Sequence, residues 1–181
     1  MFGRTPAAAV AAYVDTLQRA VSCVTRAVLR ATGYAASDAP HALLLARGSP
    51  VPLSSSRLPL ALEVRERFTF REAPAATAAA RWRLRVVEYS YAIRQPDVHG
   101  EVLAYHYHPQ IEGIAFPHLH LGSSILREPA LASIHLPTGW VGLEAVVELT
   151  LRDLGVAPLR PDWAVVLAEC GAAVAETRVR E

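Results

Sequence analysis

Residues 60–71, LALEVRERFTFR, alternate between apolar and charged side chains over most of their length. The apolar face contains Leu60, Leu62, Val64, Phe68 and Phe70, and the opposite face contains Glu63, Arg65, Arg67 and Arg71. Successive side chains of a β-strand point to opposite faces, so a period of two is typical of a strand with one buried face. The stretch therefore predicts a long strand that packs its apolar face on the core.

The chain on either side of this stretch predicts further antiparallel strands. Trp82, Leu84 and Val86 alternate with arginines, and the Ala- and Pro-rich segment before them would close a hairpin with the first strand. The additional strand candidates are residues 42–45, 81–91 and 101–108, separated by loops or turns at 48–59, 73–80 and 95–100.

Helices are predicted at both ends of the chain. Thr5 followed by Pro6 is typical of a helix N-terminus, and apolar residues then recur at helical spacing until Gly33, a favoured helix end. Two more helices are predicted at about 143–154 and 162–175. This order of elements is typical of an α+β domain. We therefore expect one domain of 181 residues with an N-terminal helix, an antiparallel sheet of four to five strands, and two C-terminal helices packed on one face.

The composition argues against several classes of protein. No apolar run approaches the twenty or so residues that a membrane helix needs, and the N-terminus lacks the layout of a secretory signal. The net charge of +1 provides no overall field that would attract nucleic acid. Cys23 and Cys170 are isolated, which argues against a disulfide framework and against cysteine-ligated zinc. We expect a cytoplasmic protein without membrane contact.

Histidines provide the strongest chemical signal. Five of the seven fall within thirty residues, as two His-x-His pairs and His135. The first pair is His106 and His108, and the second is His118 and His120. Because strand side chains alternate, both histidines of a pair would lie on one face. Imidazole is suited to metal ligation and to proton transfer near neutral pH.

Burial predicts which residues share the histidine face. We expect Leu103, Tyr105 and Tyr107 to face the core together with Trp82, Leu84 and Val86, and Leu119 and Leu121 to face inward. The opposite, open face would then hold the histidines His106, His108, His118 and His120, the tyrosines Tyr89 and Tyr91, and the arginines Arg81, Arg83 and Arg85, with Arg65, Arg67 and Arg71 in the same belt.

Three functions compete for this face. Metal-free acid–base cleavage of RNA would use histidines for proton transfer, arginines for the phosphate and tyrosines to stack a base. A metal-dependent hydrolase would use His106, His108, His118 and His120 to hold zinc or another transition metal, with Glu112 as a further candidate ligand. A non-catalytic interaction subunit would use the arginine face to dock a partner protein.

The residues Tyr89-Ser90-Tyr91, a turn, a strand ending in His106 and His108, and Phe116-Pro117-His118-Leu119-His120 resemble the core pattern of TumE-family toxins. The match covers about residues 89–121. Those toxins are small bacterial proteins encoded beside an antitoxin and thought to act on RNA. Family members usually have a basic residue where this chain has Leu119. The resemblance implicates Tyr91, His108, His118 and His120, and implies a small antitoxin protein as partner.

Together these observations favour a ribonuclease-like or RNA-binding protein that needs no cofactor. Its expected catalytic residues are His106, His108, His118, His120 and Tyr91, and its expected substrate-binding residues are Arg81, Arg83, Arg85 and Tyr89. The alternatives of a zinc or other transition-metal hydrolase and of a non-catalytic subunit stay open.

Overall fold

A computed structural model describes residues 1–36, 39–73, 81–96, 101–112, 114–122 and 134–175. Within these residues the fold is α+β, with three α-helices and one antiparallel sheet. The helices are α1 (Pro6–Val21), α2 (Leu143–Arg152) and α3 (Trp163–Val174). The strands are β1 (Phe2–Gly3), β2 (Leu29–Ala31), β3 (His41–Leu45), β4 (Val51–Leu53), β5 (Leu60–Glu72), β6 (Trp82–Arg94), β7 (Glu101–Tyr107), β8 (His118–Leu121) and β9 (Leu136–Pro137).

The long strands β5 and β6 form the centre of the sheet. The strand order is β2-β3-β5-β6-β7-β8-β9, while β1 pairs with β6 and β4 pairs with β5. Leu60, Leu62, Val64 and Phe68 are buried, so the apolar face predicted for this stretch is confirmed. The predicted hairpin turn and the end of the turn before β7 lie outside the described residues.

The sheet is larger than predicted because the short strands carry weak sequence signals. The expectation of four to five strands is wrong: the described part of the chain contains nine, four of them only two or three residues long. Val51–Leu53 lies in a predicted loop, and no strand is predicted at Leu136–Pro137. Such short segments become strands by pairing with a neighbour, which a local pattern does not reveal.

Helix α1 covers the apolar face of the sheet. It packs on β1, β2 and β6, while α2 and α3 pack on α1 and on each other. The predicted start is confirmed, because Thr5 Oγ1 accepts a hydrogen bond from the Ala8 N–H at 3.1 Å. The two C-terminal helices were predicted to pack on one face of the sheet, and the observed arrangement differs because α2 and α3 pack mainly on α1 and on each other. No described helix has the length and apolar character that crossing a membrane requires.

The predicted extension of α1 to Gly33 is wrong. The helix ends at Val21, and Leu29–Ala31 instead pairs with β3. Gln18 stabilises the change of direction, since its side chain donates to the Ala27 carbonyl at 3.0 Å and accepts from the Leu29 N–H at 2.8 Å. Tertiary pairing therefore overrides the helical periodicity of this segment.

A buried carboxyl group links α1 to the sheet. Glu66 lies on the core face of β5 and is 1% exposed. The hydroxyls of Tyr13 on α1 and Tyr91 on β6 donate to its two oxygens, at 2.8 and 2.5 Å. Burial, together with the charge of Glu144, raises the pKa of Glu66 to about 7, against the opposing effect of the two tyrosine hydrogen bonds.

Candidate functional site

The two His-x-His pairs meet on the open face of the sheet. In the antiparallel pairing of β7 with β8, His106 lies opposite His118, and Ala104 lies opposite His120. Directly opposed residues share a face, so the predicted common face for these three histidines is confirmed. Tyr105 lies opposite Leu119 on the other face, as predicted.

The imidazole rings form one contiguous cluster. The ring of His106 lies 5.7 Å from that of His118, 5.0 Å from that of His120 and 5.1 Å from that of His108, between centroids. One ring nitrogen from each of His106, His118 and His120 lies within 4.8 Å of the others. We call these three residues the histidine trio.

His135 adjoins the trio from the segment before β9. Its ring centroid lies 4.3 Å from that of His120 and 5.0 Å from that of His118. In the sequence, His135 is close to the two pairs only in residue number, and no role was predicted for it. Glu112, the carboxylate considered as a ligand, is exposed and does not belong to the cluster.

Hydrogen bonding fixes which nitrogen His118 presents. Its Nδ1 lies 2.8 Å from the carbonyl oxygen of Phe116, which can only accept, so Nδ1 carries the proton and Nε2 keeps its lone pair. His118 is 2% exposed, which also limits the motion of its ring. The Nε2 atom of His106 is buried and makes no hydrogen bond to any described residue.

The environment favours the neutral form of all three rings of the trio. Burial, followed by the neighbouring His108, His120 and His118, lowers the pKa of His106 to about 3. Burial also lowers the pKa of His118 and of His120, and the nearby His135 acts in the same direction on both. Neutral imidazole is the form that can ligate a metal ion.

A groove of about 520 Å³ adjoins the trio on the open face, and His106 and His108 line its end. Its acidic and basic lining residues are Arg65, Arg67, Arg94, Glu63, Glu88, Glu101 and the buried Glu66. Every arginine among them pairs with a glutamate. Two chains of ion pairs result, and both end at a histidine. Sequence reasoning placed Glu63, Arg65 and Arg67 on this face but missed Arg94, Glu88 and Glu101.

One chain of ion pairs ends at His106. Arg65 pairs with Glu63 at 2.7 Å, Glu63 with Arg94 at 2.6 Å, and Arg94 with Glu101 at 3.3 Å. Glu101 Oε1 then lies 3.9 Å from His106 Nε2. These ion pairs hold the side chains of the groove wall in place. Because positive and negative charges alternate, the wall has little net positive charge.

The second chain ends at His108. Arg67 contacts Glu88 Oε2 at 3.2 Å, and the Nδ1 atom of His108 lies 3.1 Å from Glu88 Oε1. A carboxylate accepts from Nδ1–H, so the neutral form of this ring has its lone pair on Nε2. The side chains of His108 and Glu88 are about one quarter exposed, so both are reachable from the groove.

The expected placement of Tyr89 and Tyr91 on the histidine face is wrong. Both are buried on the core face, where Tyr91 donates to Glu66. The reason is a β-bulge in β6: Arg67 lies opposite Glu88 and Phe68 lies opposite Val86, so Val87 is an extra residue. The bulge shifts the alternation by one residue, which is a known effect of such insertions beside functional sites.

The bulge decides what meets the histidines. Beyond Val87, Ser90 lies opposite His106, while Tyr89 and Tyr91 lie opposite Tyr107 and Tyr105. Glu88 and Arg94 consequently lie on the histidine face in place of the tyrosines.

The arginines Arg81, Arg83 and Arg85 lie at the far end of the hairpin. Arg83 is paired with Arg71 and Arg85 with Thr69 across β5, while β7 pairs only with residues 89–94 of β6. Five residues of strand separate Arg85 from the position opposite His106, a distance of roughly 16 Å. Arg81 is exposed and pairs with Glu72. The structure therefore does not bring these arginines to the histidines.

Comparisons of this chain with protein-family models, with curated proteins and with solved structures find no match.

Proposed function

We propose that this protein is a metal-dependent hydrolase of phosphate esters, with a transition-metal ion held by His106, His118 and His120. The observation that carries the proposal is the histidine trio, whose ring nitrogens lie within 4.8 Å of one another on one face of two paired strands. Strands hold ligands more rigidly than loops do, because the ladder of hydrogen bonds fixes their register.

The trio fits a metal ion in two respects, and its spacing needs a small adjustment. Ligand nitrogens about 2.0 Å from a tetrahedral metal ion lie about 3.3 Å apart, so rotation of the side chains has to close the trio by up to about 1.5 Å. The Phe116 carbonyl holds Nδ1–H of His118, which is the outer hydrogen bond that metal-bound histidines usually make. The lone buried nitrogen of His106 would gain a partner.

The imidazole donors indicate a class of metal ion and not a single element. A set of imidazole nitrogens suits zinc, copper or nickel, and His135, whose ring adjoins those of His118 and His120, is a candidate for a fourth ligand. Three protein ligands leave a position for water or substrate, which is the arrangement of catalytic zinc sites. A bound ion of this kind would supply Lewis acidity and an activated water.

The groove supports a phosphate ester as substrate. Arg65, Arg67 and Arg94 present planar donor groups that match phosphate oxygens in pairs. Each is held by a glutamate, so the arginines position a ligand rather than attract it from a distance. His108, oriented by Glu88, lies beside the trio where it can exchange a proton with a bound substrate or water.

The metal-free hypothesis, in which a TumE-like toxin cleaves RNA, stays a prediction. The pairing of His108 with Glu88 supports it, since a histidine oriented by a carboxylate can act as a general base without a metal. Tyr91 would have no direct part, because its hydroxyl is buried against Glu66. The two proposals differ in their response to chelators.

Metal binding is the first test. Purified protein is stripped with EDTA and titrated with Zn²⁺, Ni²⁺ or Co²⁺ by calorimetry, with cobalt absorption as a second readout. We expect one ion per chain in the wild type and a loss of at least about tenfold in affinity in His118→Ala and in His120→Ala. His41→Asn is the matched control, because His41 lies on β3 and outside the cluster.

Hydrolysis is the second test. The metal-loaded protein is assayed on bis(4-nitrophenyl) phosphate and on RNA, with and without excess EDTA. The metal proposal predicts turnover that EDTA abolishes and that added metal restores. The metal proposal is overturned if the protein binds no stoichiometric metal, or if the two histidine substitutions leave metal affinity unchanged. RNA cleavage that survives EDTA but is lost in His108→Ala would favour the metal-free hypothesis.

A further inference from the structure

A second groove, of about 390 Å³, lies where β7 ends and β8 begins. We call it the aromatic groove, because three of its walls are rings. Its lining residues are Tyr107, Ala115, Phe116, Pro117, Thr138, Gly139 and Trp140. Neither the metal proposal nor the RNA hypothesis uses this groove. Its volume is that of a small-molecule site and is too small for a helix of a partner protein.

The aromatic walls are held in place before any ligand binds. The ring of Trp140 lies 5.1 Å from that of Tyr107 and packs edge-on against Tyr89, with 5.0 Å between centroids. Tyr89 is buried, and its hydroxyl accepts a hydrogen bond from the Val141 N–H at 3.3 Å, next to the tryptophan. A preorganised wall loses little side-chain freedom on binding.

A polar group with no partner lies among these rings. The hydroxyl of Thr138 is buried and makes no hydrogen bond to any residue in the described ranges. The backbone of Thr138 is fixed, because its N–H donates to the Pro117 carbonyl at 2.8 Å. A turn about χ1 would present the hydroxyl to a ligand, as both donor and acceptor. Beside it, a Cβ added at Gly139 would meet nothing within 4 Å, so this side of the groove is open.

We propose that the aromatic groove binds a flat heteroaromatic ring of the nucleobase class. Tyr107, Phe116 and Trp140 provide faces and edges on which such a ring stacks, and Thr138 provides a hydrogen bond to its polar edge. A purely apolar ring would stack equally well but would leave the hydroxyl unpaired. A flexible aliphatic ligand would gain neither interaction.

The side chain of Phe116 lies between the aromatic groove and the histidine trio. The Phe116 ring lines the groove and lies 5.9 Å from the His118 ring, between centroids. Tyr107 and the trio face opposite sides of the sheet, so a nucleotide with its base in the groove would have to extend past Phe116 for its phosphate to reach the trio. This extension to a nucleotide substrate rests on the proposed function, whereas binding of the base does not.

The test uses the full chain in EDTA, so that no metal is needed. Adenosine is the probe, and cyclohexanol is the non-planar control. Heteronuclear NMR gives one indole N–H signal for each of the three tryptophans, and Trp140→Phe assigns the signal of Trp140. We expect adenosine to shift the Trp140 signal in a saturable manner, while the signals of Trp82 and Trp163 stay in place.

Substitutions then test the two interactions. Thr138→Val should weaken adenosine binding by about two- to tenfold, the effect of one hydrogen bond, and Thr138→Ser should restore it. Phe116→Ala should weaken binding about fivefold or more, the effect of one stacked base. The Phe116 side chain is 36% exposed, so its removal should not unfold the protein, which circular dichroism checks.

Several outcomes would overturn the proposal. They are an unmoved Trp140 signal at adenosine concentrations up to about 5 mM, equal shifts with cyclohexanol, or affinity that ignores both substitutions. A Trp140 signal that shifts with protein concentration alone would assign the groove to a second copy of the chain. Adenosine binding without any metal binding by the trio would retain this proposal and reject the metal-dependent hydrolase.

Discussion

The buried carboxyl of Glu66 should make the stability of the protein depend on pH. Its pKa is about 7 in the folded protein and 4.5 for an unperturbed glutamate, a difference of about 2.5 units. At about 1.36 kcal/mol per unit this corresponds to about 3 kcal/mol. Because the folded pKa is raised, the stabilising effect is full below pH 4.5 and is lost as the pH rises towards and through 7.

The substitution Glu66→Gln isolates this effect, since glutamine keeps the shape of the protonated acid and cannot ionise. Its amide can also keep hydrogen bonds with Tyr13 and Tyr91, whose hydroxyls both donate and accept. Any constant offset between the variant and the wild type comes from packing. The pH-dependent part of the difference is the quantity of interest.

Urea denaturation of both proteins at pH 4.5 to 8 and constant ionic strength measures the difference. Between pH 4.5 and 7 we expect the free energy of unfolding of Glu66→Gln to rise by about 3 kcal/mol relative to that of the wild type. Above pH 8 the difference should not grow further. Glu72→Gln is the control, because that carboxylate lies on the same strand but is 58% exposed. A difference between Glu66→Gln and the wild type that stays constant across this range would refute the reasoning.

Three further predictions concern stability and the site. Thr5→Ala should lower the free energy of unfolding by about 1 kcal/mol through loss of the helix cap, and Thr5→Ser should retain it in thermal denaturation. Gly122→Ala would drive a methyl group into the Glu101 carbonyl oxygen. It should therefore destabilise the fold and weaken metal binding by calorimetry, unlike Gly139→Ala. Leu62→Ala should cost about 2–5 kcal/mol in urea denaturation; a loss below about 1 kcal/mol would contradict its fully buried position.

The sequence predicts those parts of the fold whose signal is local. The alternation in residues 60–71 predicts β5, and the helical periodicity near the C-terminus predicts α2 and α3. The trio was predicted to share a face because both histidine pairs alternate with apolar residues. Each of these inferences uses only neighbouring residues and one rule of geometry.

The rest depends on pairing between distant segments. Residues 29–31 continue the helical pattern of α1, yet they pair with β3. Tyr89 and Tyr91 were expected beside the histidines because an unbroken alternation was assumed to continue along β6. The extra residue Val87 breaks that alternation, and a valine at this position gives no sequence signal of a bulge. Strand register of this kind depends on pairing between distant segments and cannot be predicted from local composition.

The bulge at Val87 offers a way to recognise relatives of this protein. Before it, even-numbered residues of β6 such as Leu84 are buried, and after it odd-numbered residues such as Tyr91 are buried. A related chain that keeps the bulge should show the same change of phase within one strand. A chain whose alternation runs unbroken would instead turn residues equivalent to Glu88 into the core. The phase of apolar residues along this strand therefore distinguishes relatives that retain the groove from those that share only the sheet.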